Sequence, residues 1–221
     1  RLNYPEDLFN SKTAQRSFIH NTFPECKNKP IIDILAGISL IRLKSSFKMT
    51  DRDSLYIYYI SGTGNARISS QWIAEQAIKK GMRTVVQQID RLENITMPRA
   101  GENTLIGFAF PTHGFNAAPI MLRFLAGFPA GLCRDVFLVN TRAGMKMSKI
   151  FLQGLSGLAL ILPAFILMLK GYRCIGFRPV DLPSNWIPLH PGLREKIIKS
   201  IFERCEPVSY THLTLPTIYS V

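Results

Sequence analysis

Residues 55–65 read LYIYYISGTGN, an apolar and aromatic run that stops at a glycine-rich turn. A short apolar run bounded by Ser61-Gly62 is typical of a strand buried inside a sheet. Directly after the turn, residues 68–80 carry apolar side chains near helical spacing, and Gly81 stands where a helix would stop. This stretch therefore predicts a buried strand, a tight turn and a helix.

The same alternation continues toward the C-terminus. Four further strands are predicted at residues 84–89, 104–110, 136–140 and 174–177, with helices at 120–125 and 193–205 and an apolar stretch at 155–169. Five apolar strands separated by helices predict an α/β fold, a doubly wound parallel sheet with helices on both faces. In such sheets ligands bind at the carboxyl ends of the strands, near a topological switch point.

The loop after the first strand predicts an anion site. Its two glycines let the backbone turn tightly and expose amide groups, and the N-terminus of the following helix attracts negative charge. The loop lacks the lysine of a nucleoside-triphosphate loop, and Arg67 stands where a dinucleotide fingerprint has its third glycine. One terminal phosphomonoester fits such a neutral, hydroxyl-rich loop. The residues predicted to bind it are Ser61, Gly62, Thr63, Gly64, Asn65 and Ala66.

This loop resembles the first loop of the flavodoxin family, an S/T-x-T-G-N/T pattern that grips the phosphate of flavin mononucleotide (FMN). The structural alternative is an ordinary glycine-rich turn between a strand and a helix. The resemblance implies a flavodoxin-like five-stranded sheet in the order 2-1-3-4-5 and FMN held without a covalent bond.

The same resemblance implies that the loop after the third strand surrounds the isoalloxazine ring. Its residues are Pro111, Thr112, His113, Gly114, Phe115 and Asn116. Phe115 is expected either to stack on the ring or to pack in the core, and Gly114 is expected to present its backbone to the flavin N5 edge. His113 is either a flavin neighbour or a loop histidine bonded to backbone.

The loop after the fourth strand is expected to contact the other edge of the ring. It consists of Asn140, Thr141, Arg142, Ala143 and Gly144, whose backbone amides would bind the flavin carbonyl oxygens. A solvated charge is the favoured interpretation of Arg142. No catalytic side chain is predicted, because the cofactor supplies the chemistry. No metal site is predicted either, since the four cysteines form no C-x-x-C pair.

A closer resemblance, over residues 55–206, is to bacterial flavodoxin–ferredoxin fusion proteins. It rests on Asn140, on residues 178–186 and on His190-Pro191-Gly192. It implies two 4Fe–4S clusters in a C-terminal half missing from this chain, and a ferredoxin-type domain or protein as redox partner. The predicted function is FMN-dependent electron transfer. The alternatives are an FMN-dependent NAD(P)H quinone or nitro reductase, and a flavin-free interaction module.

Both ends of the chain are expected to be foreign to the domain. Residues 208–217 read VSYTHLTLPT, which resembles a translated sequencing-library adapter, so 208–221 are predicted to be non-native and the protein truncated near Pro207. Residues 1–48 are predicted to be read-through sequence or a poorly ordered extension. A helical appendage around residues 31–43 is the alternative. Residues 49–207 are predicted to form the FMN-binding domain.

Charge and hydropathy limit the classes of partner that the chain could bind. Residues 49–207 hold 19 Lys/Arg and 11 Asp/Glu, a net charge of +8 that suits an acidic partner, an anionic membrane or a solvated surface. Nucleic acid is not expected, because basic and aromatic residues do not interleave. Residues 155–169 are shorter than the ~20 residues of a membrane span and predict a buried helix, with membrane-surface contact less favoured. Residues 1–24 lack an apolar signal, which predicts a cytoplasmic protein.

Overall fold

A computed structural model describes residues 52–89, 95–98, 103–131, 134–147, 150–183 and 195–214. The strands in these ranges are β1 Ser54–Tyr59, β2 Arg83–Gln88, β3 Thr104–His113, β4 Asn116–Ala117, β5 Asp135–Met147, β6 Ile150–Leu152 and β7 Arg173–Pro183. The helices are α1 Asn65–Lys79, α2 Pro119–Gly127, α3 Ile161–Leu169 and α4 Glu195–Thr214. The predictions for residues 1–48, 184–194 and 215–221 lie outside the described residues.

Five of the strands form one parallel sheet in the order β2-β1-β3-β5-β7. Numbered among the parallel strands alone, this order is 2-1-3-4-5, which is the flavodoxin-like arrangement of a doubly wound sheet. The short strands β4 and β6 pair antiparallel with β3 and β5. The predicted fold class is therefore confirmed.

The core lies on both faces of this sheet. Strand β1 and the first seven residues of β3 are buried throughout, as expected for central strands covered on both sides. Ile73 of α1 and Ile201 of α4 pack on one face, together with Leu55 and Val139. Residues of α2 and α3 pack on the other face, among them Met121, Phe124, Leu125, Ala164 and Leu167.

A buried carboxylate joins the amino ends of the strands. Asp135, at the start of β5, is 1% exposed and forms ion pairs with Arg52 and Arg173. Arg52 also donates to the side chain of Asn103. The hydrogen bond to Asp135 raises the pKa of Arg173. Because Arg52 precedes β1 and Arg173 begins β7, one carboxylate links three strands at this edge.

Strands β5 and β7 are longer than predicted. The fourth strand was expected to end at Asn140, whereas β5 continues to Met147 and residues 140–144 pair with 179–183 of β7. The predicted fourth-strand loop is thus wrong as a loop. Its polar residues have partners on neighbouring segments, so they can stay within a strand. Helix α4 runs across Pro207; its length does not test whether residues 208–221 are native, which stays a prediction.

Helix α3 is shorter and less buried than predicted. It begins at Ile161, because the chain makes a turn at 157–160 in which Gly157 has φ +53°. Pro163, Ala164 and Leu167 are buried, whereas Ile161 is 63% exposed. The prediction of a buried helix is therefore wrong for half of its surface. Within the described ranges, no helix has both the length and the apolar character needed to cross a membrane.

Candidate functional site

The register of the sheet brings the predicted site segments to one edge. Tyr59, the last residue of β1, pairs with Ala109 of β3, and the next β3 residue, Phe110, pairs with Asn140 of β5. Asn140 in turn pairs with Pro179 of β7. The segments 61–66, 111–116 and 140–144 therefore all lie at the carboxyl edge of the sheet, as predicted.

The first loop ends at the N-terminus of α1. Gly64 is the N-cap residue, with φ +94°, and no side chain caps the helix. The Ser61 hydroxyl accepts a hydrogen bond of 3.1 Å from the Gly64 N–H, which closes the loop. The first intrahelical bond runs from the Ile68 N–H to the Gly64 carbonyl. The N–H groups of the first turn thus point out of the helix end, which has no acidic residue in that turn.

The two glycines of this loop differ in what the fold requires of them. Gly64 needs its positive φ, which L residues with a side chain rarely adopt. Gly62 has no positive φ, and a Cβ placed on it meets no atom within 4 Å. Packing inside this chain therefore does not demand a glycine at 62. A site in which a ligand comes close to the backbone would demand one.

The remaining predicted phosphate residues take different positions. Thr63 is exposed at the loop. The Asn65 amide nitrogen donates to the Pro183 carbonyl at 3.1 Å, so this side chain ties the loop to the end of β7. Ala66 is buried in α1, where its carbonyl accepts a bond from the Ser70 hydroxyl. The whole residue is 1% exposed, so a contact of Ala66 with the phosphate stays a prediction.

The third-strand segment forms a two-residue hairpin. Thr112 and His113 pair with Ala117 and Asn116, and the turn between them consists of Gly114 at φ +53° and Phe115 at φ +61°. Positive φ at both turn residues is the pattern of a type I′ turn. Pro111, Thr112 and Asn116 are half-buried, whereas His113 and Gly114 are exposed.

Phe115 is held at the tip of this hairpin in an uncommon state. It is the one non-glycine residue with positive φ in the described part of the chain, and it is 61% exposed. Its carbonyl accepts a 2.7 Å bond from the Leu158 N–H. A Cβ on Gly157 would lie 2.5 Å from the same carbonyl. The interpretation that Phe115 packs in the core is therefore wrong, and its ring is open to stacking.

Buried polar side chains hold the hairpin against β5. The Asn140 side chain, fully buried, donates to the Thr112 hydroxyl at 2.7 Å and accepts from the Ser156 hydroxyl at 2.9 Å. Thr141 is also buried. Because Asn140, Thr141 and Gly144 are buried as whole residues, only Arg142 and Ala143 of the predicted segment 140–144 are open to solvent.

Arg142 takes part in a bidentate ion pair. Its Nε and Nη2 donate to the two carboxylate oxygens of Asp181 at 2.7 and 3.0 Å. The Gly154 N–H donates to the same carboxylate, and the Cys205 thiol donates to the Asp181 carbonyl. Burial, followed by the negative charge of Asp181, raises the pKa of Cys205 to about 11. The interpretation of Arg142 as a solvated charge is wrong.

Two further residues, Ser156 and Asp181, complete this network. Ser156 and Asp181 were not predicted as site residues, and each bonds to a partner at least 14 positions away. A carboxylate at the end of an apolar strand is the one local signal that would have identified Asp181. Among the residues whose placement is described, no cluster of three His, Cys, Asp or Glu side chains could hold a metal ion.

Comparisons with known proteins give structural similarity without a family. No protein-family model matches the chain, and no curated protein matches its sequence. A flavodoxin from the domain Archaea has 14% identity and a TM-score of 0.46, over 72% of this chain and 96% of that one. Two-electron reduced Megasphaera elsdenii flavodoxin has 12% identity and a TM-score of 0.42, over 73% and 99%. General stress protein 14 from Treponema denticola, in complex with FMN, has 13% identity and a TM-score of 0.39, over 72% and 97%.

Proposed function

We propose that this chain binds FMN non-covalently at the carboxyl edge of its sheet and uses it to transfer electrons. The observation that carries the proposal is the open loop at residues 61–65. It combines an uncapped helix N-terminus, no acidic residue in the first turn and a glycine at 62 that the fold itself does not need. These features fit a phosphate monoester bound by backbone N–H groups.

The exposed ring at the hairpin tip fits the aromatic half of the same ligand, the isoalloxazine ring. Phe115 holds an apolar ring in solvent at a positive φ, and strained backbone of this kind is concentrated at ligand sites. Stacking on an isoalloxazine ring would cover that surface. In the bound state FMN supplies reversible uptake of one or two electrons. The chain's own residues bind, orient and shield it.

A carrier is preferred to a reductase because a reductase would need a nicotinamide site next to the flavin, and the sequence displays no motif for one. We further propose that the redox partner is a ferredoxin-type domain or protein carrying 4Fe–4S clusters. That step rests on the resemblance of residues 140–192 to flavodoxin–ferredoxin fusions and on the net positive charge of the domain.

Flavin titration of the full chain tests the proposal. FMN and riboflavin would each be titrated while flavin fluorescence is recorded. We expect saturation near one FMN per chain. The Kd for riboflavin should be at least about tenfold higher than the Kd for FMN, because riboflavin lacks the phosphate that the loop would hold. A folded chain that binds neither flavin would contradict the proposal and favour the interaction-module alternative.

Variants in the first loop localise the binding. Thr63→Ala combined with Asn65→Ala should weaken FMN binding and leave riboflavin binding nearly unchanged, since both residues belong to the loop proposed to hold the phosphate and Asn65 ties that loop to Pro183. Thr84→Ala is the matched control, because Thr84 pairs with Leu55 at the opposite edge of the sheet. Equal loss of FMN and riboflavin affinity in the double variant would show damage to the fold.

Turnover assays separate the carrier from the reductase. The FMN-loaded chain would be mixed with NADH or NADPH and a quinone, and in parallel reduced chemically and mixed with an oxidised 4Fe–4S ferredoxin. We expect rapid reoxidation by the ferredoxin and negligible oxidation of the nicotinamide. Sustained nicotinamide oxidation with quinone would instead support the reductase.

A further inference from the structure

The exposed side of helix α3 forms a continuous apolar surface. Ile161, Phe165 and Leu169 follow one another at four-residue spacing, so they line one side of the helix. These three and Met168 are each at least 40% exposed. We call these four residues the α3 apolar surface. Large apolar side chains that are exposed together mark an interaction site more often than isolated ones do.

The charge around this surface is one-sided. Residues 104–180, which supply α2, α3 and the strands between them, contain eight Lys/Arg and one Asp/Glu. The single acid, Asp135, is buried in its ion pairs at the amino edge of the sheet. Arg123 of α2 is exposed on this face, whereas Lys170, directly after α3, is half-buried and its ammonium donates to the Phe128 carbonyl at 2.6 Å. Arg142 and Arg173 are held in ion pairs with Asp181 and Asp135. Among the described residues of 104–180, the α2/α3 face thus has an exposed positive charge at Arg123 and no exposed carboxylate.

The opposite face has a different character. Helices α1 and α4 carry Glu75, Glu195, Glu203 and Glu206 among their basic residues. Among the described residues, one face therefore has mixed charge, whereas the other is apolar with a positive charge at Arg123. An anionic surface would attract the second face and orient the molecule toward it.

We propose that the α3 apolar surface docks on an anionic lipid bilayer, with the side chains of α3 entering the headgroup–acyl boundary. Helix α3 contains no polar side chain over Ile161–Leu169. Its side chains therefore offer none of the hydrogen bonds that are usual in an interface between two proteins. Hydrocarbon requires none. The exposed guanidinium of Arg123 on the same face matches anionic headgroups.

Self-association fits this surface less well. A second copy would place the Arg123 side of one molecule, which has no exposed carboxylate among its described residues, against the same side of the other, and like charges in contact are unfavourable. Helix α3 has nine residues and packs on the face of the sheet, so a contact between two copies through this helix would be small. The proposal does not depend on the flavin, because vesicle binding and FMN binding are measured separately.

Vesicle flotation of the full chain tests the docking surface. Neutral phosphatidylcholine vesicles would be compared with vesicles containing 30% phosphatidylglycerol, at low and at high salt. We expect binding to the anionic vesicles that weakens with salt, and much weaker binding to neutral vesicles. The variant Ile161→Gln/Phe165→Gln/Leu169→Gln should bind anionic vesicles at least tenfold more weakly, since glutamine keeps helix propensity and removes the apolar contact.

Matched variants on the other face serve as controls. Ile78→Gln changes an isoleucine on α1 that is 60% exposed, and should leave vesicle binding unchanged. Arg123→Gln should weaken binding to anionic vesicles about fivefold, whereas Lys199→Gln on α4 should not. Circular dichroism and FMN titration of each variant would show that the fold and the flavin site are retained.

Three outcomes would overturn the proposal. The first is that the triple variant binds vesicles as well as the unaltered chain. The second is a dimer in analytical ultracentrifugation that the triple variant dissociates, without vesicle binding, which would assign the surface to self-association. The third is retention by an immobilised acidic ferredoxin that the triple variant loses, again without vesicle binding, which would assign it to a protein partner.

Discussion

Replacing Phe115 by asparagine should separate stability from flavin binding. A left-handed conformation costs an L residue about 1–2 kcal/mol, and asparagine tolerates it better than a bulky aromatic. Because Phe115 is 61% exposed, only the smaller part of its surface is buried, and losing that buried apolar area costs about 1 kcal/mol. These terms oppose each other. We expect the free energy of unfolding of the flavin-free chain to change by less than about 1 kcal/mol.

Flavin affinity should respond differently, because the ring of Phe115 would stack on the isoalloxazine. Loss of an aromatic stacking contact is worth about 1–1.5 kcal/mol, so the Kd for FMN should rise roughly tenfold. Urea denaturation followed by circular dichroism measures the first quantity, and fluorescence titration with FMN measures the second.

Phe124→Leu is the matched control for this prediction. Phe124 is 4% exposed and packs against Tyr58, Phe108 and Phe128, so the change should lower the free energy of unfolding by about 1–2 kcal/mol and leave the Kd for FMN unchanged. The reasoning is refuted if Phe115→Asn destabilises the chain by more than about 2 kcal/mol, or if its Kd stays within twofold of the unaltered value.

Three further outcomes are expected. Gly62→Ala should change the free energy of unfolding by less than about 1 kcal/mol and weaken FMN binding at least tenfold, whereas Gly127→Ala, equally open to a Cβ at the end of α2, should raise the free energy of unfolding by up to about 1 kcal/mol and leave FMN binding unchanged; urea melts and titration measure both. Asp135→Asn should cost about 2 kcal/mol of stability in urea melts, because two guanidinium groups lose their carboxylate. Burial raises the pKa of Cys174 to about 12 and, with the charge of Asp181, that of Cys205 to about 11. Both thiols should therefore stay protonated at pH 8 and resist iodoacetamide until urea unfolds the chain, and stability should fall as pH rises above about 9; peptide mass mapping and urea melts at several pH values check this.

The sequence predicted the elements whose signal is local. Strands β1 and β3 are continuous apolar runs closed by turn residues, and β1 and the apolar run of β3 are buried at every position, so periodicity and burial agree. The loop at residues 61–65 could be located for the same reason, since its glycines and its place between strand and helix are readable along the chain. The glycine-rich turn also positioned the start of α1 to within a few residues.

Features that depend on distant partners could not be predicted. Asn140 and Arg142 looked like loop residues because they are polar, yet their bonds to Thr112, Ser156 and Asp181 allow them to continue strand β5. Helix α3 is apolar on every side, so no periodicity distinguished its buried face from its exposed one. In both cases the decisive contact comes from a segment far away in sequence.

The polar network also bears on how the candidate site works. The hairpin that carries Phe115 is fixed to β5 through Thr112 and Asn140, and its tip is fixed to residues 157–158 by a backbone bond. The first loop, residues 61–65, is fixed to β7 through Asn65. Two of the three segments predicted to touch the flavin are therefore hydrogen-bonded to a neighbouring strand in the flavin-free chain. Because Asn140 is fully buried, we infer that it acts by positioning the hairpin. Its substitution should affect the isoalloxazine end of the site more than the phosphate end, since no hydrogen bond described for it reaches residues 61–65.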